Sequence, residues 1–407
     1  MLPWKNNRRV LLGVSGGIAA YKAAEIVRLL RHHCCDVEVV LTEDAERFVS
    51  PLTLSTLSGR RTWRQQDYLS SDYGYQIPHI LLADWAEVVV TAPATANTIA
   101  GLAQGTARSL LESVILATRA PVLIFPAMNV HMLENAATQD NIGELRRRGI
   151  RVAEPAEGAL ACGYEGKGRL PSPEVILQEI WRLLCPKKDL SSCRVLVTSG
   201  PTWEFLDPVR FIGNPSSGKM GRAVARTAWY RGGDVTIVEG PVSLEAPYGI
   251  ERVPVISALD MYEAVLSRAG ENDVIVKAAA VGDFRPETRE EGKVKREGRD
   301  RLTISLVQNP DIARELGVRK RKDQILVGFA AESSDLIVHA SEKIRRKGLD
   351  FIVANDITAE GAGFGADTNR VVFLFPDGTS RRVEGAKEDV ADVLWDLVSS
   401  LRCGTGN

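Results

Sequence analysis

The apolar positions of this chain follow two rhythms, and the pair of rhythms occurs twice. Val10 to Val14 is a short apolar run closed by Ser15-Gly16-Gly17, as a buried strand closes in a turn. Ile18, Ala19, Ala23, Ile26, Val27 and Leu30 then recur at helical spacing, and Val37 to Leu41 is a second apolar run. Residues 10–41 therefore predict a βαβ unit with parallel strands. Further strands are predicted at Glu87 to Thr91 and Pro121 to Phe125, with helices between and after them. Near residue 194 the rhythm restarts. Val195 to Val197 ends in Ser199-Gly200-Pro201, and Met220, Gly221, Val224, Ala225 and Ala228 draw one helical face behind a loop rich in small residues. Strands are predicted again at Asp234 to Val238, from Val253, at Asp273 to Ala280 and at Ile325 to Val327. Helices are predicted from Ala258 to Arg268 and from Leu336 to Arg346. The expected architecture is α/β, with two tandem three-layer Rossmann-like domains, each built on a mostly parallel sheet. Residues 1–187 form the first and 188–407 the second, with the polar stretch 185–193 as the join.

Composition narrows the classes further. The 407 residues are 44% hydrophobic and 25% charged, which suits two or three globular cores. A net charge of −1 offers no general attraction to nucleic acid or to a membrane surface. Six cysteines stand at 34, 35, 162, 185, 193 and 403 without a CxxC, a pattern that predicts reduced thiols in the cytoplasm rather than a disulfide framework. Arg8-Arg9 before Val10 to Ala20 imitates a secretory signal, but Gly13, Gly16 and Gly17 interrupt the run and the helical pattern continues through Leu30. No apolar run is long enough to cross a bilayer.

The candidate chemistry lies where predicted strands end. A strand, a small-residue loop and a helix N-terminus together present unpaired N–H groups, which suits an anion. Gly213-x-x-x-x-Gly218-Lys219 fits a P-loop up to the position whose hydroxyl should hold Mg²⁺; Met220 stands there and cannot. Ser15-Gly16-Gly17 is not GxGxxG, and no acidic residue closes the second strand, so a mononucleotide fits better than a dinucleotide. Pro93-Ala-Thr-Ala-Asn97 sits at a strand's ligand-bearing edge, where Thr95 or Asn97 would serve equally as a helix cap. His79, among apolar neighbours, reads first as a packed core residue. Asn129, in Pro126-Ala-Met-Asn-Val-His-Met132, can hold a carboxylate or amide, or cap a helix. The glycine-rich stretch Gly158 to Arg169 reads as a mobile flap without a core to join. Cys162 in it is no packing residue, and Lys167 and Arg169 favour its thiolate. In the second half, Asp283 and Arg285 follow a strand. The charged run Glu287 to Arg301 carries Lys293-Val-Lys-Arg296, either a polyanion grip or a solvated loop. Lys343 and Lys347 stand four apart on a helix. Their mutual repulsion suits a phosphate-facing side, although solvated lysines are commoner.

Residues 8–184 resemble the flavin-dependent phosphopantothenoylcysteine decarboxylases, within the homo-oligomeric flavin-containing cysteine decarboxylase family. The resemblance is carried by Gly16-Gly17-Ile-Ala-Ala-Tyr-Lys22, His79-Ile, Pro93-Ala-Thr-Ala-Asn97, the PxMNxxM motif at 126–132, and Cys162-Gly-x-x-Gly-x-Gly-Arg169. It implies FMN at Ser15, Gly16, Gly17, Ile18, Thr42, Ala94, Thr95 and Ala96, and active-site roles for His79, Asn129 and Cys162. Leu133 stands where the family usually has an aromatic residue, a difference of packing rather than of chemistry.

Nearly all of the second half resembles phosphopantothenate–cysteine ligase. The matching stretches are Gly200-Pro-Thr202, Asp207-Pro-Val-Arg-Phe-Ile-Gly-Asn214, Ser216-Ser-Gly-Lys-Met-Gly221, Ala278-Ala-Ala-Val-Gly-Asp-Phe-Arg285, Lys293-x-Lys-Arg296, Asn309-Pro-Asp-Ile312, Gly328-Phe-Ala-Ala-Glu332 and Ala354-Asn-Asp356. Arg296 for a common lysine keeps the charge, and Gly282 replaces a common alanine. A decarboxylase half followed by a ligase half is the order of the bacterial bifunctional coenzyme A biosynthesis family. That resemblance implies CTP, with Mg²⁺, bound by Ala279, Asp283, Lys293, Pro310, Asp311, Ile312, Ala313, Phe329, Lys343 and Lys347. Lys293 would stabilise the reacting phosphate and Asn214 the acyl intermediate. His79 would act as base, Asn129 would hold the carboxylate, and Cys162 would donate the last proton. It also implies a homo-oligomer, trimeric in the flavoprotein half and dimeric in the ligase half, with a dodecamer as one assembly. The rival reading is a flavodoxin-like electron carrier fused to a nucleotide-binding module, which needs neither the Cys162 flap nor the Lys293 loop.

Overall fold

The computed structural model describes residues 2–70, 76–160, 163–295, 301–332, 336–356 and 366–404, with the side chains of 331, 332, 336–338, 356 and 404 set aside. It divides into two compact units between Cys185 and Pro186.

The first unit is a six-stranded sheet between helices. Its strands are β1 (Arg9–Val14), β2 (Asp36–Leu41), β3 (Thr62–Trp63), β4 (Val88–Ala94), β5 (Val122–Pro126) and β6 (Arg151–Val152). They lie in the order β3-β2-β1-β4-β5-β6, and every pairing is parallel. The order reverses between β1 and β4, and such a switch point opens a crevice at the strands' C-terminal ends. The helices are α1 (Ala23–His32), α2 (Pro51–Ser58), α3 (Pro78–Trp85), α4 (Ala96–Gln104), α5 (Leu110–Ala117), α6 (Val130–Glu134), α7 (Ala136–Arg147) and α8 (Pro173–Leu184). One sheet face, with Leu11, Val40, Val89 and Ile124, packs against Ile99, Leu111, Val114 and Leu145 of α4, α5 and α7. Elsewhere α1 packs against α2 and α8. A hairpin of β7 (Ala156–Ala159) and β8 (Glu165–Arg169) precedes α8.

Two expectations for this half are corrected, and two strands are added. The predicted helix face does not begin at Ile18, which is 62% exposed; a 3₁₀ turn over Ile18–Lys22 comes first and α1 starts at Ala23. The two-residue strands β3 and β6 are too short to show any periodicity. The glycine-rich flap has a seat: it is an antiparallel hairpin whose Gly168 carbonyl accepts a hydrogen bond from Met128 N at 3.0 Å.

The second unit repeats the plan. Its strands are β9 (Arg194–Ser199), β10 (Trp203–Phe205), β11 (Phe211–Gly213), β12 (Asp234–Glu239), β13 (Glu251–Pro254), β14 (Val274–Lys277), β15 (Phe284–Pro286), β16 (Leu306–Gln308), β17 (Ile325–Glu332), β18 (Phe351–Asp356), β19 (Thr368–Leu374) and β20 (Ser380–Ala386). The main sheet runs β13-β12-β9-β14-β17-β18-β19-β20. Its first six strands are parallel and in the same doubly wound order as the first unit; β19 and β20 add an antiparallel edge. The switch point falls between β9 and β14. β10 pairs with β11, and β15 with β16, as separate hairpins. The helices are α9 (Lys219–Tyr230), α10 (Ala258–Ala269), α11 (Ile312–Arg319), α12 (Leu336–Lys347) and α13 (Lys387–Gly404). β13 starts at Glu251, ahead of the apolar signal at Val253, because an edge strand tolerates polar residues.

The join is packed onto this unit. Leu190 and Cys193 are buried, and Lys188 Nζ donates to Tyr230 O at 2.9 Å. Arg231, 1% exposed, donates from Nε to Asp189 Oδ1 at 2.9 Å and from its Nη1 to Asp392 Oδ1 at 3.1 Å and Asp396 Oδ1 at 2.9 Å. A buried guanidinium is tolerated when carboxylates surround it in this way.

Candidate active sites

In the first unit one hydroxyl latches the switch point. Ser15 Oγ, at the exit of β1, donates to Pro93 O at 2.8 Å and accepts from Thr95 N at 2.9 Å. Thr95 caps α4, its side chain accepting from Thr98 N, and Ala96 opens that helix. Thr42, at the exit of β2, donates its N–H to Val14 O at 3.0 Å. The eight residues expected to hold a flavin mononucleotide thus stand at the ends of the adjacent strands β2, β1 and β4, beside a helix N-terminus. Thr42 Oγ1 is buried without a hydrogen-bond partner among the described residues. An unused hydroxyl, a glycine loop and helical N–H groups together fit a phosphorylated ligand.

The catalytic candidates of this half are placed by other elements. His79 is the second residue of α3; its Nδ1 is buried without a partner among the described residues, and its ring meets Tyr68 edge-on at 5.6 Å. Because α3 leads into β4, its N-terminus lies toward the ligand-bearing edge of the sheet. Asn129 caps α6, with Oδ1 accepting from His131 N at 2.9 Å. Cys162 lies outside the described residues; the strands β7 and β8 on either side of it in the chain are described. Gly168 needs its hydrogen side chain: with φ +145, a Cβ there would stand 2.2 Å from Met128 O. Lys22 Nζ donates to Leu170 O at 3.3 Å, so the hairpin is held both to the Asn129 loop and to the chain following the glycine turn. Lys22 closes the Gly16-to-Lys22 motif of the sequence, where no role was assigned to it.

In the second unit the exits of β9 and β14 are laced in a similar way. Thr198 Oγ1 accepts from Ala279 N at 3.1 Å, and Ala280 N donates to Gly200 O at 2.9 Å. Asn214 Nδ2 donates to Ala280 O at 3.1 Å, which sets that side chain on the β14 exit. Gly221 lets α9 approach the strand, since a Cβ would stand 2.6 Å from the Ser199 side chain. A cavity of about 150 Å³ opens here, lined by Ser216–Met220, Ala278–Ala280, Phe329, Asn355 and Lys387 among others. Met220 is engaged in packing, its sulfur accepting from Asn369 Nδ2 at 3.4 Å.

A cluster of charges joins the end of α12 to the cap of α11. Asp311 caps α11 by accepting from Arg314 N at 3.2 Å and pairs with Lys347 at 3.0 Å. Burial acts to raise its carboxyl, but the Lys347 and Arg314 donors outweigh that and hold it below the ordinary range. Asp283 O accepts from Asn309 N at 2.8 Å, which brings the β14 exit to Pro310, Ile312 and Ala313; the last two are buried. Lys277 ends β14 in the same region. It escaped notice because it closes an apolar strand.

Lys293 and Lys343 lie elsewhere. Lys293 lines a polar hollow of about 440 Å³ with Glu290, Lys295 and Ser305. Its loop hangs on Asp207, a buried carboxylate that accepts from Val209 N and Arg210 N at 2.8 Å each and from Val294 N at 3.1 Å. Burial would raise Asp207, yet these donors hold it below the ordinary carboxylate range. Arg210 returns a bond to Val294 O at 2.9 Å. Lys343 lines a separate hollow on α12 with His339 and Arg346.

The fold and sites define a class: a doubly wound flavin-type domain followed by a doubly wound nucleotide-type domain. Family models agree. A flavoprotein model matches residues 4–185, and the model of the DNA/pantothenate metabolism flavoprotein C-terminal domain matches residues 190–401. The chain is 46% identical to the coenzyme A biosynthesis bifunctional protein CoaBC of Bacillus subtilis (strain 168), over 98% of this chain and 99% of that protein. It is 41% identical to the protein of that name from Escherichia coli (strain K12), over 96% of each. A solved C-terminal domain of such a protein covers 53% of this chain and 98% of its own, at 36% identity and a TM-score of 0.46. The chain belongs to the family of coenzyme A biosynthesis bifunctional proteins.

Proposed function

We propose that this chain performs two consecutive steps of coenzyme A biosynthesis, ligation in residues 188–407 and decarboxylation in residues 1–187. The observation that carries the reading is full-length relatedness to bifunctional proteins of that name, together with a ligand-bearing switch point in each unit.

A carboxylate is a poor electrophile. In the ligase half the carboxylate of 4′-phosphopantothenate attacks the α-phosphate of CTP, forming an acyl cytidylate and releasing pyrophosphate. The cysteine amine then forms the amide and expels CMP. Asn214 holds the acyl group, Lys293 stabilises the reacting phosphate, and the Asp283, Asp311, Phe329 and Lys347 region receives the nucleotide, with Lys343 as a further cation. Mg²⁺ brought by the triphosphate would offset phosphate charge and would ask few ligands of the protein.

The product's cysteine carboxylate cannot leave as CO₂ until the thiol carbon is oxidised, because the electron pair left behind needs a sink. FMN, when bound at Ser15–Ile18, Thr42 and Ala94–Ala96, supplies a two-electron acceptor that is restored within one turnover. His79 takes the proton, Asn129 orients the carboxylate, and Cys162 returns a proton to carbon in the last step. The proposed assembly is a homo-oligomer in the cytoplasm.

The test is incubation of the pure protein with 4′-phosphopantothenate, cysteine, CTP and Mg²⁺. CMP, pyrophosphate, CO₂ and 4′-phosphopantetheine are expected in equal amounts. A protein that carries flavin yet forms no amide would instead support the electron carrier.

A further inference from the structure

β14 ends on a lysine at the ligand-bearing edge of its sheet. Val274, Ile275 and Val276 are buried, and Lys277 after them is half-buried. In register it lies opposite Thr198 on β9 and Gly328 on β17, neither of which carries a charge. Among the described residues, the charges bearing on it come from three other places: Lys347 at the end of α12, Asp311 at the cap of α11, and Asp283 in the loop after β14. Lys347 and Asp311 are paired with each other. Lys277 itself has no hydrogen bond or ion pair to any described residue. A partly desolvated ammonium without a partner is destabilising, and an apolar side chain would fill a strand position at lower cost.

We propose that Lys277 binds a phosphoryl oxygen of a ligase substrate. This rests on reading the second half as a ligase that takes a nucleoside triphosphate and a phosphorylated acid. Either substrate carries suitable oxyanions. The position suits the role: Lys277 ends β14 directly before Ala278–Ala280, which line the cavity at the switch point, so an incoming polyanion would meet it there. The lysine also has a signature. Burial first, and Lys347 second, push its ammonium down to about 8. A bound phosphate favours the charged form, so binding draws a proton onto Lys277 just above that pH. An arginine in its place would keep the charge and could not titrate.

The experiment is isothermal titration of the full-length protein at pH 8.5, in two buffers of different ionisation heat. One arm uses CTP with Mg²⁺ and the other 4′-phosphopantothenate. Wild type is expected to take up roughly 0.7 of a proton with one of these ligands. Lys277→Arg should bind that ligand comparably and take up none. Lys277→Met should bind it about 10- to 100-fold more weakly. Uptake in the first arm assigns Lys277 to the triphosphate, and uptake in the second to the 4′-phosphate. Equal affinity and equal proton balance in all three proteins would overturn the proposal while leaving the ligase reading intact. A wild type that binds neither ligand would overturn both. If Lys277→Met fails to fold, the arginine variant against wild type still decides.

Discussion

At the scale of single residues, the contacts separate positions that act through chemistry from positions that act through space. Gly168 belongs to the second kind, since its backbone is left-handed and a methyl group there would strike Met128 O. Gly168→Ala should therefore lift the hairpin off the Asn129 loop. We expect decarboxylation of added phosphopantothenoylcysteine to fall by roughly tenfold or more, since misplacing a catalytic group by about 1 Å is that costly. CTP-dependent ligation, measured on the same preparation, should stay normal. Lys293 belongs to the first kind. It lines a polar hollow and not the core, so Lys293→Gln should leave the fold unchanged while ligation slows by roughly ten- to a thousandfold. Steady-state CMP release checks this, and unchanged turnover would make Lys293 a surface charge. Several candidate residues, Ser15 and Thr95 among them, announce themselves in the sequence because they sit beside a turn that ends an apolar run, whereas His79, Lys293, Lys343 and Lys347 came from family motifs. Asp207 and Lys277 were not legible there: their significance lies in Val294, Asp311 and Lys347, which no local pattern ties to them.

At the scale of elements, the Asp207 carboxylate fastens the Lys293 loop to the segment before β11. Its folded-state pKa is depressed, so the fastening is fully present above the ordinary carboxylate value and is lost as pH falls through the depressed one. Ligation should thus hold at neutral pH and, on acidification below about 4, fail with loss of the loop's docking. Asp207→Asn should bring that loss to neutral pH, because an amide cannot accept three N–H bonds on two oxygens. Pyrophosphate release across a pH series, for the variant and wild type, tests this; superimposable profiles would remove Asp207 from loop control. The charged run Glu287 to Arg301 thus has a structural reason at its near end, where Glu290 N also donates to Leu206 O at 2.9 Å.

At the scale of the whole molecule, the separability of the two halves depends on where the cut is made. The join docks on the second unit through Asp189 and Leu190. Residues 1–187 should fold alone and be yellow. A ligase piece that starts at 186 should outlast the same piece carrying Asp189→Ala, which loses the partly exposed partner of Arg231. The difference should be about 1 kcal/mol, or about 2–4 °C in Tm, read by calorimetry. Equal melting temperatures would show that Asp189 adds nothing. Arg231→Met should be more damaging, about 3 kcal/mol, because it strips the buried cation from three carboxylates.

The sequence alone determined the alternation of strands and helices, the repetition of the plan near residue 194, and the turns where ligands would bind. Those features follow from backbone periods of about 2 and 3.6 residues and from the turn chemistry of glycine and proline, which act over a few neighbours. Beyond the βαβ unit of residues 10–41, it could not determine which strands pair. The order β3-β2-β1-β4-β5-β6 and its copy in the second sheet come from packing apolar faces between distant segments, and that order places the switch points. Tertiary structure alone also seated the β7-β8 hairpin on Met128, folded the join onto Arg231, and left Lys277 without a partner among the described residues. In each case the deciding partner is remote in the chain. Burial and electrostatics act through space, and a local pattern carries no record of that distance.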